Sequence, residues 1–451
     1  MESILNKKLL WWGFLIAVFG AAVGYMAMYF AGASAGDYDP ATINSGDTAW
    51  MLASSALVMI MTPAVGFFYG GMVSAKNIVS VLKQSVIILA LVSVQWVLIG
   101  YSLAFGPDTG SGLIGNLSFF GLRGVGFAPD PNYAATIPAL VFMVFQAMFA
   151  IITPALIIGA FVERIRFKTL VAFTLLWATL VYDPIAHWVW SPSGWLHALG
   201  ALDFAGGTVV HMSAGFSALA AALLIGRRIT KTTPAESASN IPFVILGAGL
   251  LWFGWFGFNA GSALAAGALA ASAFVVTNTA AAAAALTWVA MSWIENKKPS
   301  AMAAAIGAVC GLVAITPASG YVGPVASIAI GVLAGVVTYL AVHLRGKKIR
   351  IDDTLDVWAG HGIGGLTGAL LTGVFAEKAI NSAGANGLLF GNPHQLWVQF
   401  IAVASAGIYA FAATWVILKV LPFIGFPLRV TAEEEAEGLD IAVHGEQAYR
   451  M

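Results

Sequence analysis

Charge is what this chain has least of. Only 9% of its 451 residues are Asp, Glu, Lys or Arg, against about 25% in ordinary soluble domains. The 21 basic and 21 acidic residues cancel, so no global bias points to nucleic acid. Cys310 is the single cysteine, which excludes an intrachain disulfide framework and a multi-cysteine metal site. Hydrophobic residues make up 59% of the chain, and that composition is of the membrane class. The 50 glycines suit helices that approach closely in lipid, where small residues let backbones meet.

Apolar stretches fall at 9–33, 48–73, 82–105, 136–161, 168–189, 205–226, 241–262, 268–294, 301–317, 321–344, 356–375 and 395–421. Most reach the roughly 20 residues that a helix needs to cross a bilayer, and 301–317 alone is short. Lys7/Lys8, Lys76/Lys83, Arg164/Arg166/Lys168, Arg227/Arg228/Lys231, Lys297/Lys298, Arg345/Lys347/Lys348/Arg350 and Lys419/Arg429/Arg450 fall on one side of these spans. Only Arg123 and Lys378 fall on the other. The positive-inside rule places the richer side, and with it the C-terminus, in the cytoplasm. The longest outer loop, 106–135, carries Gly, Pro and Asp but no nucleotide or metal pattern. Beyond residue 427 the acidic run Glu433–Glu435 with Glu437 reads either as a solvated tail or as a docking surface.

Of the histidines inside these stretches, His211 and His361 stand farthest from the ends. His211 follows Asp203-Phe-Ala-Gly-Gly-Thr-Val-Val, and His361 follows Asp356-Val-Trp-Ala-Gly. A titratable ring in hydrocarbon is costly and marks a protein interior or a water-filled path; alone, each also reads as a satisfied packing histidine. The two patterns sit five spans apart, so their helices run in opposite directions, as in an inverted repeat with a shared site near the midplane. Helical rise puts His211 about 12 Å past Asp203 and His361 about 7.5 Å past Asp356, close enough to meet. Each Asp precedes a helix start and is placed to cap it. Capping is the reading for Asp356; Asp203 caps and also makes the outer mouth attractive to cations. Phe145 and Phe149 share one helix face, and Trp190, Phe258 and Ser262 belong to outer halves of their spans. Rings and a hydroxyl can hold a cation, although aromatics are also common at membrane interfaces.

These residues stand in motifs that resemble the ammonium transporter (Amt/Rh) family, on its Amt side. They include Asp47-Thr-Ala-Trp-Met-Leu, Gly159-Ala-Phe-Val-Glu163-Arg164, Pro184-Ile-Ala-His187-Trp-Val-Trp190, the Asp203-to-His211 and Asp356-to-His361 runs, Gly257-Phe-Asn-Ala-Gly-Ser262 and the tail His444-Gly-Glu-Gln-Ala-Tyr449. The stretch Ser191-Pro-Ser-Gly-Trp195 is less glycine-rich than the family's usual pattern, and the shape of the outer mouth stays open.

The resemblance implies an all-α polytopic membrane protein: an eleven-transmembrane-helix bundle with a 5+5 inverted repeat and one pore per subunit of a homotrimer. It divides the chain into an N-terminal segment (1–46), a transporter domain (47–426) and a cytoplasmic tail (427–451). The first apolar run is a signal peptide or an extra helix; its length of about 25 residues favours a helix, and the completeness of the bundle without it favours cleavage. Carried over by position, Phe145, Phe149, Trp190 and Ser262 resemble an outer ammonium site. Phe149 and Phe258 resemble the gate below it, and His211 and His361 the twin histidines of the pore. Asp203 resembles the acidic residue that stabilises the outer site without touching substrate. The implied activity is ammonium or ammonia transport across the cytoplasmic membrane, with methylammonium as an analogue, no enzymatic reaction and no cofactor. A PII-type signal protein is the candidate partner at the cytoplasmic face. The alternatives are an ammonium sensor of the same fold, and a membrane metalloenzyme built on His211 and His361, which lacks a third and fourth ligand.

Overall fold

A computed structural model describes residues 38–229, 238–346 and 351–449. The N-terminal apolar run 9–33 and Lys7, Lys8, Lys231, Lys347, Lys348, Arg350 and Arg450 lie outside the described residues.

Among the described residues there are eleven apolar helical segments. In chain order they are α1 (Ser45–Met72), α2 (Ala75–Phe105), α3 (Ala139–Ala160), α4 (Phe167–Leu199), α5 (Gly207–Ile225), α6 (Ile241–Gly261), α7 (Ala268–Asn296), α8 (Ala301–Ile315), α9 (Pro324–Leu344), α10 (358–375) and α11 (Pro393–Phe423). Their starts follow local chemistry. Asn44 and Asn240 accept the N–H of Asp47 and Phe243 at 3.0 and 2.9 Å, satisfying a first-turn donor that has no helical partner. Proline opens α9 and α11, where its missing N–H costs nothing.

Equivalent helices of the two halves pack alike. Segment α1 meets α2 and α3 as α6 meets α7 and α8; α1 and α6 pack on each other along much of their length, and α11 covers α5 and α10. The short α8 matches the one short apolar stretch of the sequence. It needs no full span, because α6, α7, α9 and α10 enclose it.

Both histidine helices begin with a widened, π-type turn: Gly207–Met212 carries His211 and Trp358–Ile363 carries His361. Such turns recur at functional positions. The two helices cross backbone to backbone: a Cβ on Gly215 would lie 2.0 Å from the nitrogen of Gly362. Only hydrogen fits there, and that contact sets the histidines side by side.

The two starts differ chemically. Asp203 caps α5 fully, each carboxylate oxygen taking two N–H groups, from Gly206, Gly207, Thr208 and Val209. At α10 the expected cap is not Asp356. Asp353 accepts the N–H of Trp358 at 2.7 Å, while Asp356 has a left-handed backbone (φ 58°) and turns its carboxylate to Arg345. An ion pair across the loop takes the side chain that sequence proximity assigns to the cap.

The tail is docked. Leu428 to Val430 run beside residues 164–166, with Arg166 N–H to Leu428 O and Val430 N–H to Arg164 O both at 3.0 Å. A short helix, Ala432–Glu437, is closed at its start by the reciprocal Thr431–Glu434 capping box. Glu435 then pairs with Arg429 at 2.8 Å and accepts the N–H of Ile229 at 2.7 Å. Asp440 accepts the N–H groups of Val79 and Ser80 near the start of α2, where free donors and the helix dipole favour an anion. Beneath the tail, Arg228 bridges Glu163 (2.7 Å) and Asp352 (3.0 Å). Burial pushes the Asp352 carboxyl up, but the Arg228 guanidinium outweighs it and holds it below the ordinary carboxylate value.

Candidate functional site

A continuous series of rings links the two helix starts. Trp190, at the end of a helical turn of α4, meets Phe149 of α3 edge-on at 5.8 Å. Phe145, one turn earlier on α3, meets Phe149 at 4.9 Å. Phe149 closes on Phe258 of α6 at 4.3 Å between centroids. Phe258 lies over His211 at 5.8 Å, and His211 over His361 at 5.3 Å.

Trp190 is held by a hydrogen bond from its indole N–H to Asp203 O at 3.0 Å. Ser262 donates to Phe258 O at 2.8 Å, which leaves its lone pairs for a guest. A Cβ on the adjacent Gly261 would lie 2.8 Å from the Phe145 ring, so Ser262 stands beside the ring cluster. Both Trp190 and Ser262 remain partly exposed while Phe145, Phe149 and Phe258 are buried. The sequence-predicted residues therefore gather in one place, with one qualification of role. Both oxygens of Asp203 are occupied by backbone donors, so this carboxylate fixes the turn that starts α5.

The histidines face each other through Nδ1, 3.3 Å apart. A hydrogen bond between two ring nitrogens needs one proton for the pair, so one Nδ1 donates and the other accepts. Nε2 of His211 is buried and has no partner. A buried polar atom without a partner is costly unless a guest supplies the bond. Beside the pair lies a void of about 10 Å³ lined by Tyr69, Leu156, His211, Trp255 and His361, about the size that admits one water-sized molecule. Below it opens a cavity of about 590 Å³ that reaches from His361 to Glu295, Lys298 and His343 at the ends of α7 and α9. Among the described residues no three His, Cys, Asp or Glu side chains gather in a metal-binding arrangement.

From sequence, Trp255 belongs with Phe258 to the ring-bearing run of the outer half of its span but is not placed in the site, where it forms one wall. Trp255 stacks on His211 at 5.2 Å and 28°, and its N–H is held by Thr316 Oγ at 2.8 Å. Its spacing three residues before Phe258 puts both rings on one helix face, and that was the available signal. His187, within a quoted motif, instead bonds Ala104 O and Asp108 near the outer loop.

A model of the Ammonium Transporter Family matches residues 49–449. The chain belongs to the ammonium transporter family. It is 50% identical to the ammonium transporter of Bacillus subtilis over 90% of this chain and 98% of that protein. With ammonium transporter Amt1 of Archaeoglobus fulgidus it shares 48% over 90% and 100%. Among solved structures, Candida albicans Mep2 superposes with a TM-score of 0.82 at 36% identity, covering 87% of this chain and 88% of that one. A structure described as a sensor Amt protein gives 0.81 at 32%, covering 88% and 98%.

Proposed function

We propose that this family member carries ammonium across the cytoplasmic membrane by a route that a dehydrated metal cation cannot complete. Ammonium binds among Trp190, Phe145, Phe149 and Ser262, where ring faces and a hydroxyl replace part of its hydration. Asp203, charged and close beneath, supports the cation from behind. Phe149 and Phe258 form the gate. Potassium matches ammonium in charge and is similar in size, so binding alone separates them poorly. Ammonium alone can leave a proton and continue as a small neutral molecule. That molecule meets the open Nε2 of His211 and passes the histidine pair, which holds one proton and resists a second because two adjacent buried imidazolium rings repel. The observation that carries this reading is the unpartnered Nε2 of His211, set between a closed aromatic wall and an open cavity.

In this reading residues 47–426 are the transporter, the basic-rich face and the tail from 427 are cytoplasmic, and the active form is a homotrimer with one route per subunit. The docked tail supplies the surface on which a PII-type signal protein acts. Likeness to the sensor Amt protein favours a second reading, in which occupancy of the outer site matters more than flux.

The test is radiolabelled methylammonium uptake, with current recorded in parallel, by purified protein in liposomes. Saturable uptake that ammonium competes away supports transport. Tight ammonium binding without uptake supports the sensor.

A further inference from the structure

The cavity below His361 ends at three side chains that the transport route has not used. Glu295 closes α7, and Tyr339 and His343 lie one turn apart on α9. The His343 ring stacks on Tyr339 at 4.4 Å. Its Nδ1 is 2.9 Å from Tyr339 O and its Nε2 is 2.8 Å from Glu295 Oε2. Tyr339 donates its hydroxyl to the same Glu295 oxygen.

These contacts fix the protons. A backbone carbonyl only accepts, so Nδ1 of His343 carries hydrogen. With Nδ1 protonated, the 2.8 Å contact between Nε2 and a carboxylate oxygen needs a further proton between them. The pair therefore holds one proton that can leave. Both side chains are about a third exposed (30% and 39%), so they meet water at the rim while lining the cavity that begins at His361. Among the described residues, the other charged groups lining the cavity are Lys298 and Asp356, with Asp356 already paired to Arg345.

We propose that Glu295, His343 and Tyr339 form an inner protonation site where ammonia leaving the histidine pair becomes ammonium. This rests on the transport reading above. The nitrogen lone pair of ammonia takes the proton between Nε2 of His343 and Glu295; a new N–H bond forms and the N–H bond of the imidazolium breaks. The ammonium produced is held briefly by the Glu295 carboxylate and the face of Tyr339. It then leaves to the cytoplasm, and cytoplasmic water or buffer returns a proton to Nε2. Conversion to a cation lowers the ammonia available to return through the ring-lined passage, so the site gives the exit side a pH dependence of its own.

The experiment uses right-side-out membrane vesicles from cells without other ammonium transporters. Methylammonium uptake is measured at saturating outside concentration, with the lumen fixed at values between about pH 6 and 8. His343→Gln and Glu295→Gln should each lower uptake up to about tenfold, less than the 100-fold or more typical of losing an obligatory acid, because buffer can substitute. Both should flatten the lumenal pH dependence and leave the outside KM unchanged, and Glu295→Asp should restore most of the rate. Tyr339→Phe keeps the ring and both partners of the charge pair but removes the hydroxyl that bonds Glu295; it should give a smaller loss with the same flattening and serves if the first two variants do not assemble. No uptake by the unaltered protein would overturn the transport reading and this inference with it. Uptake by the unaltered protein that the variants match in rate and lumenal pH dependence would overturn this inference alone.

Discussion

The two approaches to the histidine pair are built on opposite plans. From the Trp190 side the way is shut by buried rings, with Phe149 and Phe258 only 4.3 Å apart and a void of about 10 Å³ at His211. From the Glu295 side a cavity of about 590 Å³ runs up to His361, lined partly by charged groups. The same inverted repeat thus frames one end closed by rings and one end open and partly charged. Its helix starts follow the division: Asp203 is spent entirely on backbone donors of α5, whereas Asp356 of α10 is turned toward Arg345 beside the cavity. A fold symmetric in its backbone becomes directional through side chains. In the proposed transport, desolvation belongs to one end and proton return to the other.

The largest effect is expected where the two halves touch. Gly215→Val drives a side chain into the backbone of Gly362. Overpacking typically costs about 1–3 kcal/mol, and a backbone obstacle cannot move aside as a side chain does. We expect separated histidines, uptake near background and a lowered unfolding temperature; wild-type uptake in this variant would mean that the helix crossing does not set the pair.

Breaking the ring-closed end comes next. Trp190→Leu removes a ring face worth up to about 2 kcal/mol when desolvated, or about 30-fold in affinity. Methylammonium affinity should fall and competition by potassium should rise. An unchanged affinity and selectivity would remove Trp190 from the outer site.

A several-fold change in flux is expected from deleting residues 428–451. The deletion strips Arg166, Asn77, Ile229 and the start of α2 of their tail partners but touches no residue of the ring series. Size-exclusion behaviour should be retained while uptake changes; identical uptake would leave the tail without influence on the pore.

The smallest effect concerns pH at the tail. His444 places Nε2 3.2 Å from Ser80 Oγ and its ring edge-on to Phe167. Burial pushes its imidazole below the ordinary value, and Lys83 adds to the shift. A depressed histidine favours the docked state above its undocked value of about 6.5, and that contribution is lost as pH falls through the lower docked value. Hydrogen exchange across residues 439–446 should therefore quicken below about pH 6.5, and His444→Gln should flatten that response.

Much of this was readable from residue order. Apolar length gives the spans, and the fivefold offset of His211 and His361 gives their opposed helices and hence their meeting. Other features depend on contacts that no local rule contains. The α10 cap went to Asp353 because Arg345, on a different helix, claims Asp356. Trp255 has the same composition signal as any interfacial tryptophan, and only the packing of α6 against α5 and α8 reveals it as the wall behind His211. From composition the acidic tail reads as solvated before it reads as docked, since the choice lies in partners such as Arg166 and the N–H groups of α2, hundreds of residues away. The widened turns around both histidines carry no composition signal at all.

The most direct test of the account places a carboxylate where the histidines stand. In liposomes holding assembled His211→Asp or His361→Asp protein, rubidium uptake, as a potassium tracer, is measured beside methylammonium uptake and ammonium-driven current, with the unaltered protein and the corresponding His→Ala variants as references. A buried carboxylate attracts any cation that has lost its water, so the account predicts rubidium uptake in the Asp variants, none in the unaltered protein, and sharply reduced ammonium-driven current in the Ala variants. Asp variants that stay closed to rubidium, together with Ala variants that carry wild-type ammonium current, would contradict it and leave His211 and His361 as packing residues.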